Sequence, residues 1–189
     1  MRLVLATHNP HKVEELRRIL GPRLGAIELV AYDGPEPVED GDSFEANALI
    51  KARAAFEYTG VAAIADDSGI SVRALGGAPG IHSARYAGTR DDGDNLRLLL
   101  ERMTGVDDRA AEFTCAAAFV AEDVEHVELG IWPGTLLREP AGGGGFGYDP
   151  VFQPEGLGIS SAELSADEKN AISHRAMAFA KLFSYIHAL

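Results

Sequence analysis

The chain has a single cysteine, Cys115, so no disulfide can close within it. Flanked by Thr114, Ala116, Ala117 and Ala118, that thiol reads as a small buried hydrophobe rather than a nucleophile. A reducing compartment, the cytoplasm, is the expected location. Basic residues are outnumbered: 17 Lys and Arg stand against 29 Asp and Glu, for a formal net charge of −12. That balance argues against broad binding to duplex nucleic acid, which draws on many Lys and Arg contacts to phosphate. It leaves room for a small polyanion, because a few local cations and a metal ion hold a triphosphate even in an acidic protein. No apolar run approaches the length of a membrane span. The stretch Met1–Thr7 has one charge and too short an apolar segment for a secretory signal, and is expected to be a first strand. Also missing are the glycine pattern of a Walker phosphate loop, the Cys/His or HExxH spacing of a zinc site, any internal repeat and any long linker. The 189 residues therefore suggest one domain, long enough for one sizeable core or for two lobes around a cleft.

What is present alternates strand and helix, the pattern of an α/β domain. Leu3–Thr7 is expected as a strand, followed by a helix capped by Asn9 with Pro10 at its first position. Val13, Leu16, Ile19 and Leu20 form its apolar stripe, and Gly21 ends it. Ile27–Ala31 reads as a second strand. Asp33–Asp42 is an acidic, proline-bearing loop, either a solvated connection or a ligand loop. A helix from about Ser43 to Tyr58 follows, capped by Asp42 or Ser43 and closed before Gly60. Asp94–Met103 reads as another helix. Phe113–Ala121 and His126–Trp132 read as an antiparallel pair turning near Glu122-Asp123, with a further strand over Gly134–Arg138, so the sheet is expected to be mixed. Gly142–Gly145 reads as a flexible connection. Ser165-Ala166-Asp167-Glu168 matches a capping box, and Ser173 starts a last helical segment with an apolar stripe through Phe179, Phe183 and Ile186.

Five places carry chemistry. In Val61–Gly69 an apolar strand breaks into Asp66-Asp67-Ser68-Gly69. Two adjacent carboxylates repel unless a cation lies between them or one stays protonated, and Mg²⁺ is the simplest remedy; the alternative is a turn in which either Asp caps backbone amides. Thr7-His8-Asn9-Pro10-His11-Lys12 puts the amides of a helix N-terminus beside a lysine, an anion site or simply a capped helix start. Glu39 is a candidate further metal ligand and Lys51 a candidate phosphate contact; the alternative is a surface carboxylate and a solvated lysine. In Gly145-Phe146-Gly147-Tyr148-Asp149 the glycines admit a flat ligand close to the backbone, so Phe146 can stack on a base and Asp149 accept from it; otherwise this is a turn with a core aromatic. Lys169…Ser173-His174-Arg175 gathers donors that match the O6 and N7 acceptors of a 6-oxopurine, or else forms a solvated, salt-bridged helix face.

Taken in order, Thr7-His8-Asn9…Lys12, Ser43-Phe44-Glu45-Ala46-Asn47-Ala48…Lys51-Ala52, Asp66-Asp67-Ser68-Gly69, Leu75–Gly80, Ser83-Ala84-Arg85-Tyr86, Trp132-Pro133-Gly134, Gly145–Pro150 and Glu168-Lys169…Ser173-His174-Arg175 resemble the Ham1/RdgB family of inosine/xanthosine triphosphate pyrophosphatases over nearly the whole chain. His8 departs from the pattern, standing where the family commonly has glycine. The resemblance implies an elongated mixed sheet with flanking helices, two lobes around a nucleotide cleft, and a homodimer. It implies Mg²⁺-dependent hydrolysis of ITP, dITP and XTP to monophosphate and pyrophosphate, which keeps deaminated purines out of nucleic acid. Asp67 would orient or deprotonate the attacking water and bind metal with Glu39 and Asp66. Thr7, Asn9, Lys12 and Lys51 would hold phosphates, with Ser68 nearby, and Phe146, Asp149, Lys169, His174 and Arg175 would hold the base. A related pyrophosphatase for modified pyrimidines and a nucleotide-binding regulator without turnover remain the alternatives.

Overall fold

A computed structural model describes residues 1–189. Six strands form one mixed sheet in the order β2-β1-β3-β4-β5-β6. They are β1 (Arg2–Leu5), β2 (Glu28–Ala31), β3 (Ala63–Val72), β4 (Ala110–Ala121), β5 (Val124–Leu136) and β6 (Phe152–Pro154). The helices are α1 (Pro10–Leu20), α2 (Phe44–Thr59), α3 (Asp92–Arg102), α4 (Ala166–Ile172) and α5 (His174–Ile186). β1 is parallel to β2 and to β3, whereas β6 runs antiparallel to β5. Backbone contacts divide the chain into two compact units: residues 1–67, 115–130 and 174–189, and residues 68–114 and 131–173.

In the first unit the two-residue period of the strands sorts side chains onto two faces. Leu3 and Leu5 of β1, Ile64 of β3, and Cys115, Ala117 and Phe119 of β4 pack with Leu16, Ile19 and Leu20 of α1 and with Phe179, Leu182 and Phe183 of α5. The alternate residues Val4, Ala6, Ala63, Ala65, Ala116, Ala118 and Val120 pack with Ala48, Ala52 and Ala55 of α2. Alanine dominates that second face, which lets α2 lie close to the sheet. The helix starts follow local chemistry: Asn9 Oδ1 accepts from the amides of His11 and Lys12, and Ser43 Oγ accepts from that of Ala46. Gly60 closes α2 in the left-handed region, φ 65°. Gly21 does not stop α1 outright; a 3-10 turn, Gly21–Arg23, continues it.

The second unit holds α3, whose cap is Asp91, and α4, whose capping box joins Ser165 and Glu168 as expected. Three expectations change. Gly134–Arg138 is not a separate strand: β5 runs on through Pro133 to Leu136, and the carbonyl of Pro133 still accepts from Glu155. At Gly134 a Cβ would meet the Phe152 ring, so the close approach of β6 requires glycine there. Gly142–Gly145 is not a free connection, because the Gly144 amide donates to Ala162 and Gly142 packs on the same residue. Finally, Asp66-Asp67 does not end a strand; β3 continues to Val72.

Candidate active site

Asp66 and Asp67 occupy consecutive positions of β3, so the pleat sends them to opposite faces. Asp66 shares the face of Ile64, toward α1 and α5, and is fully buried. Its Oδ2 meets Lys12 Nζ at 3.0 Å and Arg175 Nε and Nη2 at 3.2 Å each, with the Cys115 thiol at 3.9 Å. Arg175 is itself buried, and its Nη1 donates to Glu15. Burial alone would raise the Asp66 pKa, but Lys12 and Arg175 overcome it and hold the carboxyl well below the usual carboxylate range. Burial would likewise discharge Arg175, yet Asp66 and Glu15 keep it firmly protonated. The Cys115 thiol is pushed far up by burial and by Asp66, which fits the inert role expected of it.

Asp67 shares the face of Ala63 and Ala65, toward α2. Lys51 Nζ lies 3.1 Å from Asp67 Oδ1 and 3.1 Å from Glu39 Oε2, bridging the acidic loop and the strand. Asp67 Oδ2 is buried and accepts no hydrogen bond. Burial raises the Asp67 pKa; Lys51 and Lys12 pull it down, Glu39 pushes it up, and the net result is a raised value. Lys51 is shifted up, burial being outweighed by Asp67, Asp66 and Glu39.

The three expected metal ligands are thus not one group. No three acidic, imidazole or thiol side chains converge as a ready metal centre, and Asp66 is committed to cations on the other face. Glu39 and Asp67 remain. Two carboxylates with one buried, unpartnered oxygen make a hard donor set that suits a divalent cation such as Mg²⁺.

Around them, Thr7 Oγ1 accepts from the Asn9 amide at 3.2 Å, fixing the entry to α1. Asn9 caps the helix, Pro10 occupies its first position and Lys12 lies one turn in, near Asp66. His11 is exposed, and its amide is held by Asn9. His8 turns its Nε2 to the carbonyl of Gly34 at 3.1 Å. His174 is buried beside Arg175 at the start of α5.

The second unit carries the aromatic loop. Gly145 and Gly147 both adopt positive φ, 69° and 62°. Between them Phe146 is half-buried, and its amide donates to Asp149 Oδ2 at 2.9 Å. Lys169 Nζ donates to the same oxygen at 2.6 Å and lies 5.1 Å from the Phe146 ring centre. Ser161 donates to Asp149 Oδ1 at 2.6 Å. Both oxygens of Asp149 are therefore engaged, and its first task is to hold Lys169 and the Phe146 loop. Tyr148 donates to the carbonyl of Ser83, and its hydroxyl pKa is raised by burial and by Tyr86 and Asp92. The Gly147 amide donates to Asp92. Ser68 follows Asp67 on β3.

Several of these partners were not foreseen in the sequence. Glu15 lies three residues after Lys12, on the same side of α1, and that spacing is a usable signal. Ser161 and Asp92 carry none.

The Ham1 family model matches residues 3–185. The chain belongs to the Ham1 family. Among its Ham1-like relatives, the dITP/XTP pyrophosphatase of Leifsonia xyli subsp. xyli is 54% identical, the match covering 100% of this chain and 97% of the relative. The structure of a HAM1 protein from Coxiella burnetii matches with a TM-score of 0.90 at 38% identity, covering 100% of both chains. The crystal structure of a nucleoside-triphosphatase / dITP/XTP pyrophosphatase from Mycobacterium abscessus matches at 44% identity with a TM-score of 0.78, covering 96% of this chain and 97% of the other. A Ham1 fold thus surrounds the carboxylate and cation cluster of β3, α1 and α2.

Proposed function

We propose that this protein, as one catalytic domain over residues 1–189, hydrolyses ITP, dITP and XTP to the nucleoside monophosphate and pyrophosphate, with Mg²⁺ as cofactor. The carrying observation is the trio Glu39–Lys51–Asp67, in which a half-neutralised carboxylate keeps one buried oxygen unpartnered. The dITP/XTP pyrophosphatase names of full-length relatives support the substrate class.

In the reaction, the Asp67 carboxylate accepts a proton from a water molecule, whose oxygen bonds to the α-phosphorus. The bond from the α-phosphorus to the bridging oxygen of the β-phosphate breaks, and pyrophosphate leaves with that electron pair. A raised pKa suits Asp67 to this exchange, since it brings the carboxylate closer to the basicity of a useful proton acceptor. Lys51 and Lys12, with the amides at the N-terminus of α1, offset the negative charge growing on pyrophosphate. Mg²⁺ held by Glu39 and Asp67 would add charge neutralisation on the triphosphate oxygens. For the base, Phe146 offers a stacking face and Lys169 a donor for a 6-oxo group. Arg175, expected at the purine, is given the task its geometry supports: it holds Asp66, and with it the β3 segment that carries Asp67. A homodimer in the cytoplasm completes the reading suggested by the family resemblance.

The test is a substrate panel of ITP, dITP, XTP, dGTP, dATP and a modified dUTP, each with and without Mg²⁺, following both products. Pyrophosphate and monophosphate from the 6-oxo, 2-amino-free purines and from XTP are expected, with loss of turnover on chelation. Preference for the pyrimidine, or binding without turnover, would replace the proposal.

A further inference from the structure

We infer that His8 is a positioning residue that fastens the acidic loop carrying Glu39 to the loop that leads into α1. Its imidazole Nε2 lies 3.1 Å from the carbonyl of Gly34, across 26 residues of sequence. A carbonyl can only accept, so Nε2 carries the proton and donates. The ring also rests against Tyr32, with centroids 5.4 Å apart at 53°. Tyr32 in turn lies over Gly34, where a Cβ would come within 2.5 Å of its ring. Its hydroxyl donates to the carbonyl of Pro35 at 2.9 Å, and its ring meets Tyr58 of α2 edge-on at 5.8 Å. His8, Tyr32 and Gly34 therefore form one packed joint at the start of the loop.

The far end has its own joint, the Gly41 amide donating to Asn47 Oδ1 at 2.9 Å. Between the two, Val38 is 79% exposed, and Glu39 reaches back to Lys51. Pro35 and Pro37 stiffen the span, so fixing its first residue restricts where Glu39 can be. His8 needs no unusual backbone for this, since Asp123 is the sole non-glycine residue with positive φ. A glycine at position 8 makes neither the hydrogen bond nor the ring contact, so the fastening belongs to the histidine.

This inference rests on the functional reading for its catalytic consequence but not for the fastening, and the two separate experimentally. Ligand-free protein is treated with a glutamate-specific endoprotease, and cleavage of the Glu39–Asp40 bond is followed. His8→Ala should cleave about five-fold faster than wild type, the factor expected for one lost hydrogen bond. His8→Gln, whose amide nitrogen can donate to the same carbonyl, should fall back toward wild type. In dITP hydrolysis His8→Ala should lower kcat with a smaller change in KM, and His8→Gln should recover part of the loss. Unchanged cleavage in His8→Ala overturns the fastening. Faster cleavage with unchanged kcat overturns the positioning role. Absence of turnover in wild type refutes the functional reading and leaves the cleavage result standing.

Discussion

Asp66 and Asp67 are neighbours in sequence, yet the pleat of β3 gives them separate cations: Lys12 and Arg175 for the first, Lys51 for the second. The repulsion expected of adjacent carboxylates is relieved by geometry before any metal binds. It also divides their tasks. Asp66 has a depressed pKa and anchors a buried ion cluster, whereas Asp67 has a raised one and keeps an oxygen available.

Under the proposed reaction, Asp67→Asn keeps the shape of the side chain but removes the proton acceptor and a metal charge. Turnover of dITP should fall about 10²-fold or more, with the thermal midpoint little changed. Near-normal turnover at saturating Mg²⁺ would remove Asp67 from the role given to it.

The pH dependence has a defined sign. In the proposed reaction Asp67 acts as the carboxylate, so kcat should rise with pH through a pKa above the ordinary Asp value. Lys51 is the strongest of the charges that lower that pKa, so Lys51→Met should move the acid limb of the profile to higher pH as well as lower its plateau. An acid limb that stays put would mean that another group titrates.

Asp66 tests stability rather than chemistry. Asp66→Asn leaves Arg175 buried against Glu15 with one carboxylate fewer, and breaking such a pair costs about 3–5 kcal/mol. Because its folded pKa is depressed, the Asp66 contribution is fully present above the ordinary unfolded value, about 3.9, and fades as pH falls below it. Urea unfolding should therefore give a wide gap between the two proteins at pH 7 that narrows below about pH 4. A gap independent of pH would point to lost packing.

For the base, Phe146→Ala should weaken dITP binding by a stacking contribution of about 1–3 kcal/mol. Lys169→Met should lower kcat/KM for dITP more than for dATP, because the ammonium favours an acceptor at purine C6. A parallel fall for both nucleotides would confine Lys169 to holding Asp149.

Much of this was legible in the sequence because it is local. Asn9-Pro10, Ser43 and the Ser165–Glu168 box announce helix starts through hydrogen bonds within a few residues, and each is found at a helix start. The alternating apolar residues of β1 and β4 likewise mark two covered faces. The continuation of β3 was not legible, because Asp-Asp-Ser-Gly carries turn chemistry and only distant cations make its burial tolerable. Arg175 reaches Asp66 across 109 residues, a pairing that no local pattern encodes. The same holds for Ser161 on Asp149 and for His8 on Gly34. Candidate residues were therefore easier to name than to assign: Arg175 and Asp149 carry the expected chemistry but spend it first on other side chains.

The central claim is attack of an Asp67-primed water on the α-phosphorus. It is tested most directly by hydrolysing dITP in water enriched in oxygen-18 and locating the label by phosphorus NMR and mass spectrometry. One labelled oxygen in dIMP and none in the pyrophosphate is the predicted result. Label in pyrophosphate, or release of labelled phosphate with dIDP, would contradict it.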